Sequence, residues 1–402
     1  MIHQPPAGAR DLLPLEVAQK RWIASRLQAV FHRWGYQRII TSTLESMKTL
    51  MAGGAIRRST VLQLEDSVEG TLGLRPELTA SIARAAVTRM AGEARPQRLY
   101  YRANVFRRPT ASHHGRQIEF YQSGVELLFA EGSLADGEVL LLLAECLQNL
   151  GLEQWYLVLG EVGLTRSLLS IFPDAVREKV RSCIARLDRV ALENLSLSPP
   201  LLERALLLFD LRGKPEDVLQ KVSRLELDEA GQQITSDLKS LVELLKGSSS
   251  TSIPLILDLS LLGTMDYYTG IVFEVVSPSP HRVLGKGGRY DRLLELYHPQ
   301  QETQPGVGFA LNLEDLHACL LLSQQLPQNT PASHWLVVPQ VPQAEAAAFV
   351  YAQKLRNSEH LVRVEIELEG RSPEVIREDA RRRQIARIAW IQADGTPTIE
   401  TL

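Results

Sequence analysis

Three stretches of this chain concentrate side chains able to hold a small zwitterion. The first is Leu74-Arg75-Pro76-Glu77-Leu78-Thr79-Ala80. The second runs from Tyr101-Arg102-Ala103-Asn104-Val105-Phe106-Arg107 and closes with Gln122-Ser123-Gly124-Val125-Glu126. The third is Met265-Asp266-Tyr267-Tyr268-Thr269-Gly270, answered by Gly285-Lys286-Gly287-Gly288-Arg289-Tyr290-Asp291. Glu77 and Glu126 can hold an ammonium group, and Gln122 and Tyr268 can orient polar ligand atoms. Arg107 can pair with a carboxylate or phosphate through two parallel hydrogen bonds. Gly287-Gly288 would let backbone approach a ligand closely.

Each feature also has a purely structural reading. An Arg-Pro-Glu run opens helices with an acidic first turn. Tyr267-Tyr268 on a strand would put one ring in the core and one outside. Gly285 to Gly288 has the glycines of a phosphate loop, but no Lys-Ser or Lys-Thr follows, which argues against a Walker loop. His113-His114 shares its spacing with no further ligand and reads as solvated, so no metal site is expected. Cys146, Cys183 and Cys319 form no CxxC pair and read as buried or semi-buried thiols in a reducing compartment.

The elements that must position these residues follow from periodicity. Ile23, Leu27, Val30, Phe31 and Trp34 recur at helical spacing after Pro14, and Gly35 stops that helix. A β-like stretch, Tyr36 to Thr43, follows. Val61 to Leu64 and Thr71 to Leu74 suggest a hairpin around Glu69-Gly70, and Glu77 to Met90 a helix. Leu99 to Phe106 and Glu119 to Phe129 read as long strands joined by a polar loop. Ser133 and Asp136 suggest a capping box opening a helix that Gly151 ends. Trp155 to Gly160 is a strand. Residues 163–250 read as a helical insertion ending in the flexible run Gly247 to Ser252. Strands return at Pro254 to Leu259, Gly270 to Val276, Val283-Leu284 and Gly306 to Leu311, the last leading into a helix through Leu322.

A polar stretch, residues 323–333, marks a linker. Beyond it, strand and helix alternate over 334–402, as in a small α/β domain. Residues 1–322 would form the core. At roughly 150 residues per domain, 402 residues fit two or three domains. Hydrophobic residues make up 45% and charged residues 23%, which excludes fibrous and disordered classes. The net charge of −3 gives no global case for nucleic-acid or membrane binding. With no basic-then-apolar leader and no long apolar run, a cytoplasmic location is expected.

In this order the three stretches resemble the motifs of the class II histidyl-tRNA synthetase family. The resemblance begins at Gly8-Ala9-Arg10-Asp11-Leu12-Leu13-Pro14 and runs to about residue 316. It returns weakly at Leu368-Glu369-Gly370-Arg371-Ser372. It implies an α+β fold: an antiparallel sheet of six strands flanked by helices, with the helical insertion and a shortened anticodon-binding-like α/β domain. It places Glu77, Thr79, Gln122, Glu126, Tyr267, Tyr268 and Tyr290 in a histidine pocket. It makes Arg107 the motif 2 arginine that holds the activated carboxylate and α-phosphate.

Departures from the family pattern bear on activity. The family's Arg-Gly-Leu-Asp-Tyr-Tyr becomes Gly263-Thr264-Met265-Asp266-Tyr267-Tyr268. Motif 3, which normally ends in Glu-Arg, ends here in Glu314-Asp315. Ile118 replaces a common motif 2 arginine, the adenine-binding acidic residue is not recognisable after Arg107, and Ser42 replaces the motif 1 proline. Losing one preorganised electrostatic group costs on the order of 10²–10³ in rate, about 3–4 kcal/mol. The pattern resembles the family's silent, regulatory members. That implies no catalytic residue, no cofactor, L-histidine as effector, a homodimer, and a hetero-oligomer with the short-form catalytic subunit of ATP phosphoribosyltransferase, first enzyme of histidine biosynthesis. The alternatives are a divergent histidyl-tRNA synthetase, a synthetase-like enzyme with another substrate, or an RNA-binding module using Arg377, Arg381, Arg382, Arg383 and Arg387.

Overall fold

The computed structural model describes residues 4–54, 56–66, 68, 70–108, 117–248, 253–261 and 267–402. Its contacts divide the chain into two compact units. One holds the residues up to Leu12 with Gln19–Leu326; the other holds Leu13–Ala18 with Pro327–Leu402.

The first unit is built on six consecutive antiparallel strands: β1 (Gln97–Phe106), β2 (Glu119–Leu128), β3 (Tyr156–Glu161), β4 (Ile271–Ser277), β5 (Arg282–Arg289) and β6 (Gly306–Asn312). Their spatial order is β1-β2-β6-β5-β4-β3. Gln37–Arg38 adds a short parallel edge beside β1. Leu255–Asp258 and Arg212–Gly213 extend the other edge, making nine strands in all.

One face of this sheet is mainly apolar. Tyr100, Val125, Leu127, Val307, Phe309, Leu311 and Phe273 alternate along their strands and pack on helices α1 (Pro14–Arg33) and α3 (Gly132–Asn149). Ile23, Leu27, Val30 and Phe31 of α1 are fully buried there. Gly35 (φ +78°) and Gly151 (φ +74°) close the two helices, each with left-handed backbone that a side chain would strain. At the first, Gly35 N–H donates to His32 O at 3.1 Å and Tyr36 N–H to Phe31 O at 3.0 Å. The opposite face carries Leu99, Tyr101, Val105 and Leu128 under α2 (Thr79–Val87), and its remaining positions form the candidate site.

Six helices occupy most of residues 162–248, with Arg212–Gly213 as a strand among them. The second unit pairs strands in the order 364–366, 335–339, 387–391, 397–401, the last antiparallel. Helix Glu345–Arg356 packs on Trp335, Val337, Ala389 and Ile391. Helix Pro373–Arg382 packs on Leu336, Val338, Ile388 and Trp390. All three cysteines are free thiols, with Cys146 and Cys319 buried and Cys183 half-buried. Among the described residues no helix is long and apolar enough to cross a membrane, and no cluster of potential ligands could hold a metal.

Several local expectations are corrected. Ser133 and Asp136 form no capping box: α3 has Glu131 at its N-cap without a side-chain bond, and Asp136 pairs instead with Arg289. The β-like run 36–43 shortens to Gln37–Arg38, with Leu44–Ser46 pairing separately to Gly70–Leu74. The expected helix 77–90 is Thr79–Val87. Gly285 to Gly288 is no loop but mid-strand in β5, which spans eight residues where two were expected. Tyr267-Tyr268 lies ahead of β4 rather than on a strand. The expected strand 361–366 begins at Val364, and Pro397–Thr401 is an additional strand.

Candidate effector site

Strand alternation brings Gln122, Gly124 and Glu126 of β2 to the face away from α1. Gly308 of β6 lies directly opposite Glu126, and Gly288 of β5 directly opposite Gly308. These glycines clear a floor. A Cβ at Gly308 would collide with the Glu126 carboxylate, and one at Gly288 would come within 2.6 Å of the Tyr268 ring. Gly287 points the other way, where Phe273 fills the space. The expectation that Gly287-Gly288 leaves room for a ligand is therefore corrected: the protein's own rings occupy it.

Glu126 is the centre of the arrangement and is 2% exposed. Thr79 Oγ1 donates to its Oε1 at 2.8 Å, and the Tyr290 hydroxyl donates to its Oε2. Burial raises its carboxyl to about pH 8 despite those two donors, and nearby Glu77 adds to the rise. Tyr267 packs against Tyr268 with ring centroids 4.9 Å apart and planes tilted by 59°, and meets Tyr290 edge-on at 5.8 Å. Burial raises all three phenols above their usual range, so they stay neutral donors.

Glu77 has a role closer to its structural reading. Its carboxylate accepts from Thr79 N–H at 2.6 Å and Ala80 N–H at 3.0 Å, tying down the start of α2. Burial still raises its pKa, the backbone donors and Arg107 opposing. Arg107 Nε donates to Pro76 O at 2.7 Å and its guanidinium lies 5.4 Å from the Phe120 ring. Gln122 is buried, and its Oε1 has no hydrogen-bond partner among the described residues. Such an orphan polar atom is costly unless something completes it. Glu77, Thr79, Arg107, Glu126, Tyr267, Tyr268 and Tyr290 thus gather at the start of α2, while Gln122 lies further along the same face of β2.

Residues outside that set also shape the site. Tyr101 is fully buried beneath Glu126 and Glu77. Further along the open face, Lys286 pairs with Glu274 at 2.6 Å; at the start of helix Leu313–Leu322, Asp315 pairs with Arg282 at 2.5 Å. Glu314, the half of the motif 3 ending that matches the family pattern, binds Lys20 at 2.8 Å and accepts from Tyr121 N–H at 3.0 Å. The opposite charges of Glu274 and Lys286 at matched strand positions were the available signal for the first pair. His113-His114, Thr110-Ala111 and Gly263 to Asp266 lie outside the described residues.

The long antiparallel sheet with its flanking helices defines a class II aminoacyl-tRNA-synthetase-like fold. The histidyl-tRNA synthetase family model matches residues 8–316. Over the full length the chain is 64% identical to the ATP phosphoribosyltransferase regulatory subunits of Gloeothece citriformis and Nostoc punctiforme, covering 100% of each. A crystal structure from Bacillus halodurans, described as an ATP phosphoribosyltransferase regulatory subunit/histidyl-tRNA synthetase, superposes with TM-score 0.82 at 27% identity, covering 98% of this chain and 99% of that one. A histidyl-tRNA synthetase from Nostoc sp. shares the fold, with TM-score 0.80 at 20% identity, covering 99% and 97%. The chain belongs to the histidyl-tRNA synthetase family and, within it, to the ATP phosphoribosyltransferase regulatory subunits.

Proposed function

We propose that this chain is the non-catalytic regulatory subunit of ATP phosphoribosyltransferase, acting at the first step of histidine biosynthesis in the cytoplasm. It supports a short-form catalytic subunit in a hetero-oligomer and carries the feedback response to L-histidine. The reading also takes the chain as a homodimer. Full-length relatives bearing the regulatory-subunit name support the partnership.

The observation that carries the effector assignment is the pocket itself. Buried Glu126 and Glu77, three neutral phenols and the unpartnered Gln122 Oε1 suit a small cation-bearing zwitterion. Arg107 supplies the positive end for its carboxylate. Histidine would act by binding the inhibited arrangement of the complex more tightly than the active one; a typical coupling is ~1–3 kcal/mol.

The absence of synthetase chemistry rests on charge. Phosphoryl and adenylyl chemistry needs cations aimed at phosphate oxygens. At the motif 3 position stands Asp315, and it neutralises the nearby Arg282; Glu274 likewise neutralises Lys286. A triphosphate approaching Lys286 or Arg282 would meet a carboxylate already holding that cation.

Titration of the purified chain with histidine and separately with ATP tests both halves. Binding of histidine without ATP, and histidine sensitivity of the reconstituted complex, is the expected result. Histidine-dependent ATP–pyrophosphate exchange at ordinary synthetase rates would overturn the reading.

A further inference from the structure

We infer that Arg289 is a positioning residue for the effector pocket, fixing Tyr268 and Tyr290 through a buried charge cluster with Asp136 and Asp291. The inference rests on the reading of that pocket as a histidine site.

Alternation along Gly288-Arg289-Tyr290 turns the two outer residues toward the pocket and the Arg289 side chain to the opposite face. There Arg289 is 7% exposed and Asp136 8%. Arg289 Nε donates to Asp136 Oδ1 at 2.9 Å. Its Nη1 donates to Asp291 Oδ1 at 3.0 Å and to Ala130 O at 3.2 Å. Nη2 lies 2.7 Å from the same Asp136 oxygen but off the donor direction, so it adds charge attraction rather than a second bond.

The cluster reaches both tyrosines through their chain neighbours. Thr269, next to Tyr268, donates its N–H to Arg289 O at 2.8 Å. Thr269 Oγ1 donates to Asp291 Oδ2 at 3.1 Å and accepts from Asp291 N–H at 3.0 Å. Tyr290 N–H donates to Gly306 O at 2.7 Å, and a Cβ at Gly270 would come within 3.0 Å of the Arg289 stem. Thr269 after Tyr268 and both neighbours of Tyr290 are therefore bonded into one cluster, and Asp136 anchors that cluster to α3.

Burying a charge pair in an apolar core is a poor route to stability, since well-packed apolar residues of similar volume often do as well or better. What such a pair supplies here is orientation: fixed directions for a fork-shaped donor and two carboxylates. A small displacement of an orienting group is enough to weaken a ligand site strongly.

The test uses the full-length chain with Thr269→Val, Asp291→Asn and Arg289→Lys. The first two leave the Asp136–Arg289 pair in place. Three readouts are taken: thermal midpoint, near-ultraviolet circular dichroism of the tyrosines without ligand, and histidine affinity by calorimetry well below the midpoint. We expect Thr269→Val and Asp291→Asn to fold, to lose part of the tyrosine dichroism, and to bind histidine about tenfold or more weakly. Arg289→Lys, which keeps the charge without the fork, should also lose dichroism. Folded Thr269→Val and Asp291→Asn chains with unchanged dichroism and unchanged affinity would overturn the inference. If the wild-type chain bound no histidine, the pocket reading would fall, while the ligand-free dichroism would still decide the positioning role.

Discussion

The Tyr290 hydroxyl donates to the carboxylate of Glu126 across the floor of the sheet, and Thr79 donates to that carboxylate's other oxygen at 2.8 Å. Two donors on one buried acid leave it oriented before any ligand arrives. A bound cation or N–H donor then finds its partner in place.

Glu126→Ala and Tyr268→Phe should therefore weaken the histidine response far more than assembly with the catalytic subunit. A hydrogen bond to a charged group contributes about 1.5–3 kcal/mol, so roughly a tenfold to hundredfold loss in affinity is expected. Calorimetry with histidine, paired with size-exclusion analysis of the complex, checks it. Intact feedback in both variants would show the pocket assignment to be wrong.

Acidity gives a second prediction. Burial holds the Glu126 carboxyl at about 8, against about 4.3 for an unfolded glutamate. The folded state thus binds the extra proton between those values. Its contribution to stability is full below the lower value and is lost as pH rises through the upper one. The thermal midpoint should fall across that window, and Glu126→Gln should flatten the fall. Below that upper value the free carboxyl holds its proton, so binding that requires the carboxylate should release protons. Calorimetry in buffers of different ionisation enthalpy measures that release, and Glu126→Gln should abolish it.

The glycine floor is a packing prediction. Gly308→Ala would drive a methyl into Glu126, and Gly288→Ala one into Tyr268. Overpacking of this kind costs about 1–3 kcal/mol. Both variants should lower the thermal midpoint and lose histidine binding. Retained binding in Gly308→Ala would mean that Glu126 sits elsewhere.

Arginines of the second unit are mostly engaged. Arg377 Nε donates to Glu400 at 2.8 Å, Arg382 pairs with Asp379 at 2.6 Å, and Arg383 with Glu365 at 2.9 Å. This favours a self-compensated face over an RNA-phosphate patch, whose binding would weaken steeply with salt. No tRNA mobility shift is expected even at low salt. Glu400→Ala, which strands both Arg377 and Trp390 Nε1, should destabilise the chain by about 1 kcal/mol in a denaturant titration.

Much of the architecture was legible from spacing alone. Ile23, Leu27, Val30 and Phe31 mark the buried stripe of α1, and Gly35 and Gly151 mark two helix ends, because these signals are local. The motif order likewise singled out Thr79 and Tyr290, which both bond Glu126. What failed were readings that needed a distant partner. Asp136 stands four residues into a helix, where a cap is the near-sequence explanation, yet its partner Arg289 is 153 positions away. Gly285 to Gly288 looked loop-like because glycine has poor strand propensity; rings from Phe273 and Tyr268 fill the space that its missing side chains leave.

The chain's sequence by itself determined which elements form, which side chains can meet an amino acid, and which cations the family's chemistry would miss. Tertiary structure alone decided where each charge is spent: Glu77 on the start of α2, Asp315 on Arg282, and Asp136 on Arg289. The reason is range. Periodicity and turn chemistry act over a few residues, whereas a charge is satisfied by whatever the fold brings within about 4 Å, at any separation along the chain.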